Sequence, residues 1–129
     1  RPSFELDGVV TQITDASYTH KGSYMTGFVT KMGLTAVVET AGNQIVLTSL
    51  RTMPFDAEQL RCLGIEPASQ AMIVVKSAMA WRSAYGDVAK RIIFLDTPGI
   101  CASNLEHFHY ENLPLPVYPL DPDTPKLRP

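Results

Sequence analysis

The chain has 129 residues, 45% of them apolar and 19% charged, with a formal net charge of -2. That length fits one domain with a real core, and a near-neutral balance without a basic run lacks the electrostatic footprint of a nucleic-acid binder. No apolar stretch reaches the ~18 to 20 residues of a membrane-spanning helix. Cys62 and Cys101 are too few for a disulfide scaffold, so two free thiols in a reducing cytoplasm are expected.

The start, Arg1-Pro2-Ser3-Phe4, shows neither an initiator Met nor a signal-peptide pattern, and the chain is expected to be part of a longer polypeptide. Phe4 to Thr14 has strand character, with Gly8 breaking the alternation as a bulge or bend would. Ala16 to Tyr24 is polar, holds Gly22, and suggests a loop. Met25 to Met32 forms a short strand candidate around Phe28 and Val29. Leu34–Thr40 and Gln44–Ser49 are β-branched runs separated by Ala41-Gly42-Asn43, and Gly-Asn between two strands signals a tight hairpin.

The second half changes period. Asp56 can cap a helix over Asp56–Leu63, Gln59 sits at the capping-box position, and Phe55 can staple onto Leu60. Gly64 favours a left-handed helix end, and Pro67 forbids the helix to resume. Met72-Ile73-Val74-Val75 is an unbroken apolar run of the kind found in strands covered on both faces. Ala80–Lys90 predicts a second helix, with Trp81, Tyr85 and Val88 at one face's spacing and Lys90 and Arg91 where the helix dipole favours cations. Arg91–Asp96 is another buried-type strand, centred on Ile92–Leu95.

Strand, helix, strand, helix, strand from Gln44 onward predicts two right-handed crossovers between parallel strands. The expected fold class is α/β: a mixed β-sheet with an N-terminal antiparallel hairpin region and two strand-helix-strand crossovers. The α/β domain is expected over 1–121. From Pro114 onward six prolines punctuate the chain, so 122–129 is expected to be a Pro-rich tail, an extended strap or a frayed end.

Three motifs carry possible chemistry. Asp96-Thr97-Pro98-Gly99 after an apolar strand looks like the γ-phosphate-sensing turn of GTPases. No Gly-x-x-x-x-Gly-Lys-Ser/Thr loop accompanies it, so a plain strand-ending turn is the better reading. His107 and His109 would share a face of an extended segment with Glu111, but no local ligand cluster completes a metal site, and a solvated segment is favoured. Lys76 and Ser77 fall at the carboxyl end of the expected central strand, where open α/β sheets hold ligands. With Arg82 on the next helix, whose N-terminus offers backbone N–H groups, they could bind an anion or carboxylate. The alternative is a solvated loop with an ordinary helix cap. Acid–base and nucleophile motifs are missing, so no catalytic residue is assigned.

A series of segments, in order, carries a family resemblance. Leu34-Thr35-Ala36-Val37-Val38 is followed by Ile45-Val46-Leu47-Thr48-Ser49-Leu50-Arg51-Thr52-Met53-Pro54-Phe55-Asp56, then by Leu63-Gly64-Ile65-Glu66-Pro67. Ile73-Val74-Val75-Lys76-Ser77, Arg82-Ser83-Ala84-Tyr85 and Asp96-Thr97-Pro98-Gly99 complete it, with Leu113-Pro114-Leu115-Pro116-Val117-Tyr118-Pro119-Leu120-Asp121 as the closing stretch. The series resembles the C-terminal domain of the microcystinase C (MlrC) family, bacterial proteins regarded as zinc metallopeptidases. The resemblance implies a parent amide hydrolase whose zinc is the cofactor and whose metal ligands, an Asp-x-His pair and a later His, belong to a large N-terminal catalytic domain. None of those motifs is in this chain, and no metal ligand is assigned to it. The implied partners are that N-terminal domain of the same polypeptide and a small peptide or amide substrate. Lys76, Ser77 and Arg82, at the expected strand end and helix start and within the matching stretches, are the expected substrate-binding residues. The other function class is a non-catalytic binding or stabilising module.

Overall fold

The computed structural model describes residues 5–97, 104–114 and 116–121. Two compact units divide the chain, Arg1–Arg91 and Ile92–Pro129.

In the first unit, β1 (Val9–Thr19), β2 (Val29–Thr40) and β3 (Asn43–Thr48) form an antiparallel sheet in the order β1-β2-β3. The expected hairpin closes β2 onto β3. Its turn residues are Ala41 and Gly42, both at positive φ (46° and 78°), and Asn43 is already paired with Thr40. This is the left-handed pair that a two-residue hairpin requires.

Several expected boundaries move. β1 begins at Val9 and runs through Ala16–Thr19, which the polar composition assigned to a loop. Ala16 and Tyr18 point inward and are buried, while Ser17 and Thr19 alternate outward. The polarity belongs to one face of a strand. The bulge expected at Gly8 lies instead between Val10 and Gln12, at Thr11. Gly8 serves another need, since a Cβ there would stand 2.8 Å from Glu39 O and from Val38 Cγ1. The two strands expected over 25–40 are one strand, β2, with a second irregularity beside Gly33. Gly33 has φ +67°, and a side chain would collide with Ser49 Oγ, so only glycine lets β2 continue there.

One sheet face packs a core of Ala16, Tyr18, Met32 and Val37 against Leu63 and Ile65, with Val46 and Leu60 at its margin. Leu63 and Ile65 follow α1 (Glu58–Arg61), which Gly64 terminates at φ +77° while Ile65 N–H donates back to Leu60 O at 3.1 Å. The helix expected over Asp56–Leu63 is thus one regular turn flanked by tighter turns. α2 (Trp81–Tyr85) is also shorter than expected, because Gly86-Asp87 follows and both residues disfavour a helix interior. Trp81, Tyr85 and Val88 still share a cluster with Ala57, Ala84, Leu60, Ile73 and Val75.

The larger correction concerns the crossovers. Neither Met72–Val75 nor Ile92–Leu95 is a paired strand, and the sheet of the described residues is wholly antiparallel. Only Ile73 and Val75 of the first run join a core cluster, and Val74 is 82% exposed. In the second unit, Ile92, Ile93, Phe94 and Leu95 are all exposed. A doubly covered strand needs a neighbour on each side, and the described residues supply none for these runs. For Met72–Val75 the described residues leave that requirement unmet. Pro98–Gly99, Cys101 and the tail 122–129 lie outside the described residues.

Candidate functional site: a buried polar junction at Asp56

The most concentrated polar chemistry lies where the end of β1, the turn after it and the start of α1 meet. Asp56, only 2% exposed, accepts from Lys21 N–H (2.8 Å) and Gly22 N–H (2.7 Å) with Oδ2, and from Glu58 N–H (2.9 Å) with Oδ1. The capping role expected of Asp56 is thus real. The reciprocal Gln59 bond of a capping box is not formed, and the Phe55 ring packs on Tyr24 at 4.6 Å between centroids. The turn itself is closed by His20 N–H to Phe28 O and Gly27 N–H to His20 O.

His20, also 2% exposed, sits beside that carboxylate, with Nδ1 3.9 Å from Asp56 Oδ2 and Nε2 2.8 Å from Thr30 Oγ1. Its ring lies 4.9 Å from that of Tyr18. The Tyr18 hydroxyl and His20 Nδ1 are buried with no hydrogen-bond partner among the described residues. Burial pushes the Tyr18 phenol up. It pushes Tyr85 up to about 12, helped by the nearby Tyr18 and Asp56. Burial works to raise the Asp56 carboxyl too, but the three backbone donors and His20 outweigh it and hold the group below its ordinary value. The arrangement is a closed fastening of turn to helix. It offers no reacting atom to solvent.

His20 belongs to none of the motifs read in the sequence. The available signal was the alternation Ala16, Tyr18, His20, which places the imidazole on the same inward face as the core.

Lys76, Ser77 and Arg82 lie elsewhere, and no hydrogen bond or ion pair joins them. Lys76 is exposed. Ser77 Oγ accepts from Ala80 N–H at 3.0 Å, so it caps the turn into α2 and takes up a donor the anion reading had left free. Arg82 is exposed, its guanidinium 5.1 Å from the centroid of the Trp81 ring. With five residues, α2 has little macrodipole to offer an anion.

In the second unit, His107 and His109 do not share an extended face. Asn104 Oδ1 accepts from Glu106 N–H and starts a 3-10 turn over Leu105–His107. His107 Nε2 lies 3.3 Å from Asp96 Oδ2, which Asn104 also reaches at 3.2 Å, while His109 is exposed. Among the described residues, no three His, Cys, Asp or Glu side chains are placed to hold a metal. Cys62 is a free, exposed thiol.

The family described as MlrC C-terminus matches residues 1–112. The chain belongs to that family. Microcystinase C of Sphingomonas sp is 29% identical over 91 residues, covering 70% of this chain and 17% of that protein. A crystal structure of a provisionally assigned metallopeptidase from Mesorhizobium sp. BNC1 superposes with a TM-score of 0.69 at 30% identity, over 89% of this chain and 23% of that one. The chain therefore spans well under a third of either relative.

Proposed function

We propose that this MlrC C-terminal domain is part of a zinc-dependent, metallopeptidase-type amide hydrolase and helps to shape its substrate cleft. The observation that carries the reading is the shared fold with the Mesorhizobium chain at 30% identity, joined to the family match. A peptide or small amide is the substrate class, and an N-terminal catalytic domain of the same polypeptide is the partner. The mixed sheet with crossovers is proposed to assemble only with that partner. A cytoplasmic location belongs to the same proposal and rests on the scarcity of cysteine.

The described residues of this chain do not fit the zinc. Asp56 already accepts three backbone hydrogen bonds, and among the described residues no three His, Cys, Asp or Glu side chains are placed to hold a metal. The ligands are therefore assigned to the catalytic domain, where a bound zinc would supply Lewis-acid chemistry. What this chain contributes is positioning. Lys76 and Arg82 present cations suited to a substrate carboxylate, and Ser77 sets the backbone between them.

Arg82→Ala in the complete gene product should lower kcat/KM on linear peptides about 10-fold, with zinc content and unfolding midpoint unchanged. Unchanged kinetics in Arg82→Ala and Lys76→Ala together would contradict a cleft role. The capping by Ser77 and the stacking of Arg82 on Trp81 favour a second reading, a stabilising module, which that outcome would support.

A further inference from the structure

The run Met72–Val75 has the composition of a central strand and the contacts of half of one. Ile73 and Val75 pack into the cluster of Ala57, Ala84 and Tyr85, while Met72 and Val74 alternate outward, 73% and 82% exposed. The segment is therefore extended and already seated by one face. Its backbone is a different matter. From Ala71 to Lys76 no N–H or C=O is hydrogen-bonded to another described residue. Hydrogen bonding resumes at Ser77 and Ala78, whose Oγ and carbonyl oxygen accept from Ala80 N–H and Trp81 Nε1.

An unpaired apolar strand is an open template for another strand. In the folded state most such backbone groups find partners, and strand addition supplies them while alternate side chains fill pockets. Two occupants suggest themselves, a second copy or another part of the same polypeptide. Coverage of the relatives decides between them. The matched region is 17% of microcystinase C and 23% of the Mesorhizobium chain, so at least 77% (100 − 23) of either relative lies outside it. The same fold is held inside that larger chain at a TM-score of 0.69.

We propose that Met72–Val75 is a sheet strand whose hydrogen-bonding partner belongs to the remainder of the same polypeptide. Strand addition buries Met72 and Val74 and leaves Lys76 and Ser77 just beyond the strand's carboxyl end, at the boundary between the two parts. The inference rests on the reading above that the chain is one part of a larger hydrolase.

Hydrogen–deuterium exchange on the complete gene product tests it. The amides of 72–75 should exchange at least about 100-fold more slowly than those of the exposed turn 23–26, and as slowly at ten-fold lower protein concentration. Exchange at the rate of that turn overturns the proposal. Protection lost on dilution gives the strand to a second copy and overturns it equally. A gene product without zinc or hydrolytic activity would defeat the functional reading while leaving the exchange at 72–75 to be read on its own, so the two failures are separable.

Discussion

Thr35-Ala36-Val37-Val38 and Met72-Ile73-Val74-Val75 are four-residue runs of the same chemical character, yet they meet opposite fates. The first lies inside β2, between Ile13 and Thr14 of β1 and Val46–Thr48 of β3 among others, with Thr35 and Val37 almost wholly buried. The second packs Ile73 and Val75 and leaves Met72 and Val74 to solvent without a neighbouring strand. An apolar, β-branched run expresses a need for lateral pairing and for cover. It does not say where in the chain the partner lies. For the first run the partner is one tight turn away, which makes its loop-closure cost small. For the second it is outside the described residues.

The predictions bear on that contrast. The largest effect belongs to the polar junction that fixes the local region. Asp56→Ala leaves the N–H groups of Lys21, Gly22 and Glu58 without their acceptor and should cost about 3 to 5 kcal/mol in denaturant unfolding of the complete gene product. A loss under about 1 kcal/mol would show that the turn is held by apolar packing instead.

The paired truncations Val37→Ala and Val74→Ala come next. If both strands are covered in the complete gene product, both should cost about 1 to 3 kcal/mol. A Val74 effect within about 0.5 kcal/mol, beside a full Val37 effect, would mean that residue 74 stays in water.

The smallest effect is in acid. The folded Asp56 carboxyl holds its proton less readily than the unfolded one, so the unfolded chain takes up more protons as pH falls. The stability it contributes is present above its ordinary value of 3.8 and is lost as pH drops through the lower folded value. Asp56→Asn should flatten the unfolding free energy over that acid range. An unchanged slope would contradict the assignment.

Legibility in the sequence followed the same division. The β2–β3 hairpin, the Asp56 cap and the Gly64 helix end were all readable, because each depends on residues within a few positions of one another. The family could be read from a series of short segments, and the match over 1–112 agrees with it. The continuity of β2 through Gly33 was not readable, since the reason is Ser49 and Leu50 lying against that glycine. His20 stayed hidden because its partner Asp56 is 36 positions away and the intervening residues give no spacing rule. The helix lengths were overread: periodicity marked the faces of α1 and α2, while Gly86-Asp87 and the tight turns around α1 set where they stop. The crossovers were inferred from runs whose pairing the described residues do not contain.

The central claim, that Met72–Val75 is covered by the rest of the polypeptide, is tested most directly by the accessibility of residue 74. In a complete gene product with Cys62→Ser and Cys101→Ser, the thiol introduced by Val74→Cys should react with a maleimide about 100-fold more slowly than the thiol introduced by Ser23→Cys in the exposed turn. Reaction of both at the same rate would contradict it.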